Sequence, residues 1–449
     1  MDNKLKYEML ADGESVVSSS MGIIPMHKGF AFSEDSIKSA LKSSKYFKLV
    51  SFDKQEDDRD TYYAEIEYCG TSYEVKLFVE PVKNIGLNDF SFANQIDEND
   101  LKTAQEQSAF LSTSLFFGDN ILESFHLQLK IMDAIVPEAS LVLDFMSYRL
   151  LSAKWLKMTA KSDIPPSPDY LFSLHGVYSE DKGTKQYWFH THGLLRCRSI
   201  ELEILGVTAG PEQMNDLINM VVKKFIKDPS RESEKFQIGY DGLGLHLAWL
   251  RWEEALKDLP DDVLGGMKDR EGNVHTEPAG VLFAVEDNIL VSPEIFVKTL
   301  ADNPIFYISN EETQRMSDLA RERFPIFKSM FEKTNKVAPP KPKSFLSRIF
   351  GKDNTEAQPS QEPWDYIVKL GLTVDDATTE TEKEHLWFRV SDLQENLITC
   401  ELLNQPYWIA ALSAGSIGTY PMDLLTDWVI YSPQGGSYSP DSAYRLGTM

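Results

Sequence analysis

The stretch from Gln186 to Glu203 gathers the residues of this chain best suited to chemistry: His190, His192, Glu201 and Glu203, with Arg196, Cys197, Arg198 and Ser199 between them. Side chains alternate along a strand, so Trp188, His190 and His192 share one face while Tyr187, Phe189 and Thr191 share the other. Gly193 lets the chain turn. In the next extended run Glu201 and Glu203 lie on one face, with Ile200, Leu202 and Ile204 on its reverse. Paired as a hairpin, the two strands would bring two imidazoles and two carboxylates together, with cross-strand neighbours about 5 Å apart. Two imidazoles and a carboxylate suit zinc or non-haem iron, and a second carboxylate can act as a base or orient a ligand. One reading is therefore a divalent metal, zinc foremost, held by His190, His192, Glu201 and Glu203. His192, Glu203 and Arg196 would be the groups that act in its reaction.

Two other readings compete. A nucleophile, Cys197 or Ser199, could use His192 as base and a Glu to orient it, although nothing like a nucleophile elbow surrounds either residue. Alternatively, the His and Glu residues pair with each other and with Arg196 or Arg198 at a domain interface, and the cluster is structural. Eight residues separate His192 from Glu201, a wider gap than in cupin-type His-x-His…Glu sites. The structural reading is favoured, so no cofactor is expected, with zinc or another divalent metal as the alternative. His175 and His246 are lesser candidates; His246, in Asp241–Trp249, reads as a core histidine. Gly242-x-Gly244 lacks the third glycine and the βαβ frame of a dinucleotide site. No Walker loop, His-Glu-x-x-His or Gly-x-Ser-x-Gly occurs.

The elements that must position these residues follow from periodicity and from Pro and Gly. Residues 1–20 read as a loose lead-in. Residues 21–161 read as an α+β domain. Within it are a strand at 22–32, a helix opened by Ser33, a hairpin turning at Gly70, and a long helix from Asn120 to Pro137 with Glu123 at a capping position. Ser162 to Pro168 cannot continue a helix and marks a boundary. A second α+β domain, 169–333, carries the His-Thr-His-Gly…Glu-Leu-Glu segment and a helix from Pro211 to Lys227, whose apolar face runs Met214, Leu217, Ile218, Val221, Val222, Phe225. Residues 334–363 are a Pro-rich linker. Within it, Phe345, Leu346, Ile349 and Phe350 beside Lys343, Arg348 and Lys352 form a short basic amphipathic patch. Residues 364–435 form a small β-rich module, and 436–449 a tail. The fold class is α+β: two consecutive antiparallel-sheet α/β sandwich units, a flexible linker and a small mainly-β C-terminal module.

Composition limits the partners. The 449 residues carry 45 Lys and Arg against 69 Asp and Glu, a formal charge of −24. Such a surface repels phosphate backbones and anionic membranes, so no nucleic acid and no membrane is expected, and a basic protein is the partner it would suit. Cys69, Cys197 and Cys400 are widely spaced and contain no CxxC, which fits a reducing, cytoplasmic setting.

Trp188-Phe189-His190-Thr191-His192-Gly193-Leu194, Arg196 and Glu201-Leu202-Glu203-Ile204 resemble the bacterial domain-of-unknown-function family numbered 4026, over about residues 20–330. Phe125–Leu129 and Pro165–Pro168 fit the same family, in which a Gly is common where this chain has Arg198. The C-terminal unit resembles a second such family, numbered 2314, through Glu384-His385-Leu386-Trp387, Leu402–Pro406 and Asp427-Trp428; its usual central Gly-Asp is Gly415-Ser416 here. Neither resemblance implies a reaction, a cofactor or a partner. In that module His385, Trp387, Asp427 and Trp428 are candidate binding residues, since exposed Trp side chains anchor interfaces. The function expected from sequence is a non-catalytic protein-binding role, of immunity or adaptor type, with a metal-dependent enzyme at the His190, His192, Glu201, Glu203 cluster as its rival.

Overall fold

The structure is a computed structural model that describes residues 2–448 apart from 57–59, 88–89, 91, 94–95, 182, 241–242, 272–274, 303–309, 335–362 and 380–381. Residues 335–362 of the linker, with the patch at 343–352, lie outside the described residues. The chain divides into two compact units, residues 1–161 with 165–308, and residues 162–164 with 309–449. No helix among the described residues is long and apolar enough to cross a membrane.

The first unit contains two sheets. One is built from β1 (Ser19–Pro25), β2 (Lys48–Glu56), β3 (Asp60–Tyr68), β4 (Thr71–Pro81), β5 (Phe92–Ala93), β6 (Ala109–Leu115), β7 (Ala139–Asp144) and β8 (Arg149–Ser152). Their order is β2-β3-β4-β6-β1-β7-β8-β5, antiparallel except for β5 on β8. Helices Glu34–Ser43, Ile121–Ile135 and Ala153–Lys161 pack together beside it. Ser33 and Ser36 close a capping box on the first of these, and the Asn120 side chain accepts the Glu123 N–H at 3.2 Å on the second.

The other sheet comprises β9 (Ser173–Asp181), β10 (Thr184–His192), β11 (Glu201–Val207), β12 (Phe236–Tyr240), β13 (Leu243–Arg251), β14 (Ala279–Glu286) and β15 (Ile289–Val291). It runs β12-β13-β14-β11-β10-β9, with β15 on β14. β11 and β14 are parallel and their neighbours antiparallel, so the α+β class holds with one parallel ladder in each of the two sheets of this unit. Helix Pro211–Lys227 lays Met214, Leu217, Ile218, Val221, Val222 and Phe225 into the core of this second sheet.

Both ends of the chain differ from the sequence expectation. Residues 1–20, expected as a loose lead-in, include a helix, Asn3–Ala11, whose Tyr7 and Leu10 are buried in the core of the second sheet. The Tyr7 hydroxyl donates to the Ala279 carbonyl at 2.8 Å. Only two apolar side chains anchor this helix, too few to register as a periodic stripe. Helix Asn310–Thr334, placed by sequence in the second α+β domain, belongs to the second unit. Its Phe327 packs on Trp428 at 5.4 Å between ring centroids, and Trp428 Nε1 donates to the Ala320 carbonyl at 3.1 Å. The strands it covers are β16 (Asp365–Thr373), β17 (Lys383–Gln394), β18 (Leu397–Leu402), β19 (Ile417–Pro421), β20 (Leu425–Tyr431) and β21 (Ser437–Tyr438), ordered β19-β18-β17-β16-β20-β21. The tail is ordered too. Ala443 and Leu446 are buried, and Asp441 pairs with Arg315 at 3.1 Å.

Candidate metal centre

Pairing of β10 with its two neighbours builds the site. His190 lies opposite His175 on β9 and opposite Glu203 on β11. His192 is one step along the same face, opposite Ser173. The imidazole centroids are 5.2 Å apart for His175 and His190, 4.7 Å for His175 and His192, and 5.0 Å for His190 and His192. Each of the three offers a ligand nitrogen within 4.8 Å of the others. His275 adds a fourth ring, 4.6 Å from that of His190 and 5.3 Å from that of His192.

His190 is buried, and its Nδ1 has no partner among the described residues. His175 and His192 are half-buried, so the group opens towards solvent on their side. Burial lowers all three imidazole pKa values, helped by the neighbouring rings: His175 to about 4, His192 to about 3 and His190 to about 2. All three are therefore neutral near pH 7, the form that binds a metal.

The carboxylates do other work. Glu203 sits across the ladder from His190, but Arg270 holds it: Arg270 Nη1 donates to its Oε1 at 3.2 Å and Nη2 to its Oε2. Arg270 also donates to the carbonyls of Gly265 and His275. Burial pushes the Glu203 carboxyl up, and the charge of Arg270 pulls against that. Glu201 turns away from the histidines. Its Oε1 accepts the N–H groups of Gly193 (2.9 Å), Leu194 (2.9 Å) and Leu195 (3.3 Å), and Thr191 donates to its Oε2 at 2.7 Å. It thus clamps the short turn Leu194–Cys197 that follows the histidine strand. The structure brings His190, His192 and Glu203 together, sets Glu201 apart, and adds His175.

Arg196 is not exposed for catalysis. Its guanidinium is fully buried, donating to both oxygens of Asp144 at 2.9 and 2.7 Å and to the Leu171 carbonyl at 2.6 Å. It therefore ties the histidine strand to the end of β7 in the other sheet. Cys197 is buried and its thiol is pushed up to about 12 by burial; Ser199 is buried as well. Neither touches His192 in the described contacts, which leaves the nucleophile reading without its geometry. Arg198 adopts φ +57°, in the left-handed region that favours glycine. Its guanidinium offsets the strain by donating to Ser15 (3.1 Å), Asp119 (2.9 Å) and the Phe117 carbonyl (2.8 Å).

The turn after β7 contributes further groups. Tyr148, at φ +52° and 48% exposed, stacks edge-on against His192 at 4.9 Å. Arg149 follows it, within electrostatic reach of His175. Sequence reading missed both, because they lie in the other sheet. His175 had a local signal: β9 and β10 pair in continuous register from Asp181 and Thr184 to Ser173 and His192, which sets it across from His190. His246 lies on β13, opposite Gln237 on the edge strand β12, and belongs to no metal-ligand group among the described residues.

In the second unit the candidate binding residues separate. Trp428 is fully buried in the core. His385 shares a hydrogen bond with Thr426 at 3.1 Å, and Trp387 lies under the Lys369 ammonium at 5.3 Å. Asp427 accepts the Trp428 N–H at 2.7 Å, yet burial still pushes its carboxyl up to about 7. The exposed aromatics are instead Tyr407 (86%) and Trp408 (65%). Buried Glu384 accepts both of their N–H groups, at 2.8 and 3.1 Å.

Comparison with known families places the chain. The model of "Protein of unknown function (DUF4026) N-terminal" matches residues 19–166, its C-terminal counterpart matches 174–283, and "Uncharacterized protein conserved in bacteria (DUF2314)" matches 361–439. No curated protein and no solved structure matches the chain. The three histidines, Tyr148 and Arg149 all lie inside the DUF4026 matches, Tyr148 and Arg149 in the N-terminal one and the histidines in the C-terminal one. The chain belongs to the DUF4026 family, with a DUF2314 domain appended.

Proposed function

We propose that the DUF4026 region holds a divalent transition-metal ion, zinc or a chemically similar one, at His175, His190 and His192, and uses it as a Lewis-acid centre. The observation that carries this reading is the convergence of three neutral imidazoles within 4.8 Å across two paired strands. Three protein ligands leave a fourth position for water or substrate, the arrangement of catalytic zinc sites, whereas structural sites use four. Glu203 and Arg270 flank His190 as a closed pair, orienting the site and not ligating. Three free cysteines suit the reducing cytoplasm.

Elemental analysis of the purified full-length chain after loading with zinc and exhaustive dialysis tests the reading. About one zinc per chain is expected for the wild type, and none above background for His190→Ala. Wild-type protein that stays metal-free, with a melting temperature indifferent to chelator and to added zinc, cobalt or manganese, sinks it.

A second role rests on Tyr407 and Trp408. A pinned, exposed aromatic pair is how protein-binding surfaces present anchors at low entropy cost. With the net charge of −24, it favours a basic protein as the partner of the DUF2314 unit, in an immunity or adaptor role.

A further inference from the structure

The half-buried Arg149 guanidinium forms no ion pair among the described residues, and the carboxylates of Asp144 and Asp169 act on it only at longer range. Arg149 lies opposite Asp144 in the β7–β8 ladder, but both oxygens of that carboxylate are taken by Arg196. Arg149 donates to the Asp169 backbone carbonyl at 2.7 Å, while the Asp169 carboxylate lies 3.1 Å from Lys223 and acts on Arg149 at longer range. Arg149, Arg196 and Lys223 thus share the carboxylates of Asp144 and Asp169, leaving one positive charge in excess. The Arg149 Nε is buried and finds no acceptor among the described residues. A buried donor left unsatisfied is costly, more so when charged, so it marks a place that a ligand can complete. The same guanidinium acts electrostatically on His175. The preceding residue, Tyr148, leans on His192 at a φ that a bulky side chain rarely adopts. Strain of this kind clusters at ligand sites.

We infer that the histidine centre takes an oxyanion, a carboxylate or phosphate group of a small molecule, with one oxygen at the open metal position and its negative charge met by Arg149 from the neighbouring sheet. The inference rests on the metal reading, and it extends the site across both sheets of the first unit. Arg149 supplies the planar fork that matches carboxylate and phosphate, and Tyr148 forms the half-exposed wall beside it. Arg270 does not serve this role, because Glu203 already neutralises it.

The test uses the cobalt-loaded full-length chain, whose visible bands report any change at the metal. Sodium acetate, inorganic phosphate and neutral acetamide are titrated separately. A saturable spectral change is expected with acetate or phosphate and none with acetamide; the tighter of the two anions identifies the headgroup. Arg149→Gln is expected to weaken that binding at least tenfold while cobalt stoichiometry stays at the wild-type value, and Arg149→Lys to restore part of it. Equal anion binding by wild type and Arg149→Gln, no response to either anion, or a wild-type response to acetamide equal to that to acetate overturns the inference and leaves the metal reading standing. Failure of cobalt to bind the wild type overturns both. The acetamide comparison needs no variant, so an unfolded Arg149→Gln still leaves a decisive arm.

Discussion

At the scale of single residues, burial decides which of the chemically able side chains can act. Glu203 faces His190, yet its charge is spent on Arg270, and both partners are nearly fully buried. Removing one partner of such a pair strands the other charge, at a cost of roughly 3–5 kcal/mol. Glu203→Gln is therefore expected to lower stability by about that much, read by equilibrium urea denaturation; a change below about 1 kcal/mol would mean that water already screens the pair. Asp427 shows the opposite case, a carboxyl that keeps its proton. Unfolded, it ionises near pH 3.8; folded, burial raises it to about 7. Between those values the folded chain holds a proton that the unfolded chain has released. The associated stability is complete below about pH 4 and is lost as pH rises through 7. Asp427→Asn should flatten this slope, gaining on the order of 4 kcal/mol relative to wild type at pH 8 compared with pH 4. Denaturation curves that move in parallel with pH would contradict it.

At the scale of elements, the site depends on how β10 leaves its sheet. Gly193 sits at φ +110°, and a Cβ there would lie 2.5 Å from the Leu171 carbonyl oxygen. Gly193→Ala is expected to cost about 2 kcal/mol or more and to weaken metal retention, since His192 immediately precedes it. Unchanged melting and zinc content would show that the turn can relax. This part of the site was legible in the sequence: alternation put His190 and His192 on one face, and Gly193 marked the turn. The roles of the two glutamates were not. Whether Glu201 faces a histidine or caps a turn depends on the short 3-10 segment at Leu194–Cys197, and nothing in the local pattern announces that segment. Helix 211–227 was readable because it buries a periodic apolar face, whereas helix 3–11 buries only Tyr7 and Leu10; helix 121–135 is buried nearly all round, with His126, Gln128, Lys130 and Asp133 inside, which its apolar spacing alone does not foretell.

At the scale of the whole molecule, long-range pairing is what sequence periodicity leaves open. Tyr148 meets His192, and Arg149 acts on His175 electrostatically, where Arg196 ties the turn after β10 to Asp144 at the end of β7. No local signal couples residues so far apart. The acidic balance was legible, and it bears on association and not on fold. If the exposed Tyr407 and Trp408 anchor a basic partner, capture of that partner at low salt should fall as salt is raised, and Trp408→Ala should weaken it by about 2 kcal/mol. Capture insensitive to both would remove the surface from consideration. The central claim remains the metal at three histidines, and X-ray absorption at the zinc edge of the loaded chain tests it most directly. The account expects three imidazole nitrogens at about 2.0–2.1 Å, with the imidazole scattering diminished in His175→Ala. A first sphere containing sulfur, one made of carboxylate and water oxygens alone, or no retained zinc would contradict it.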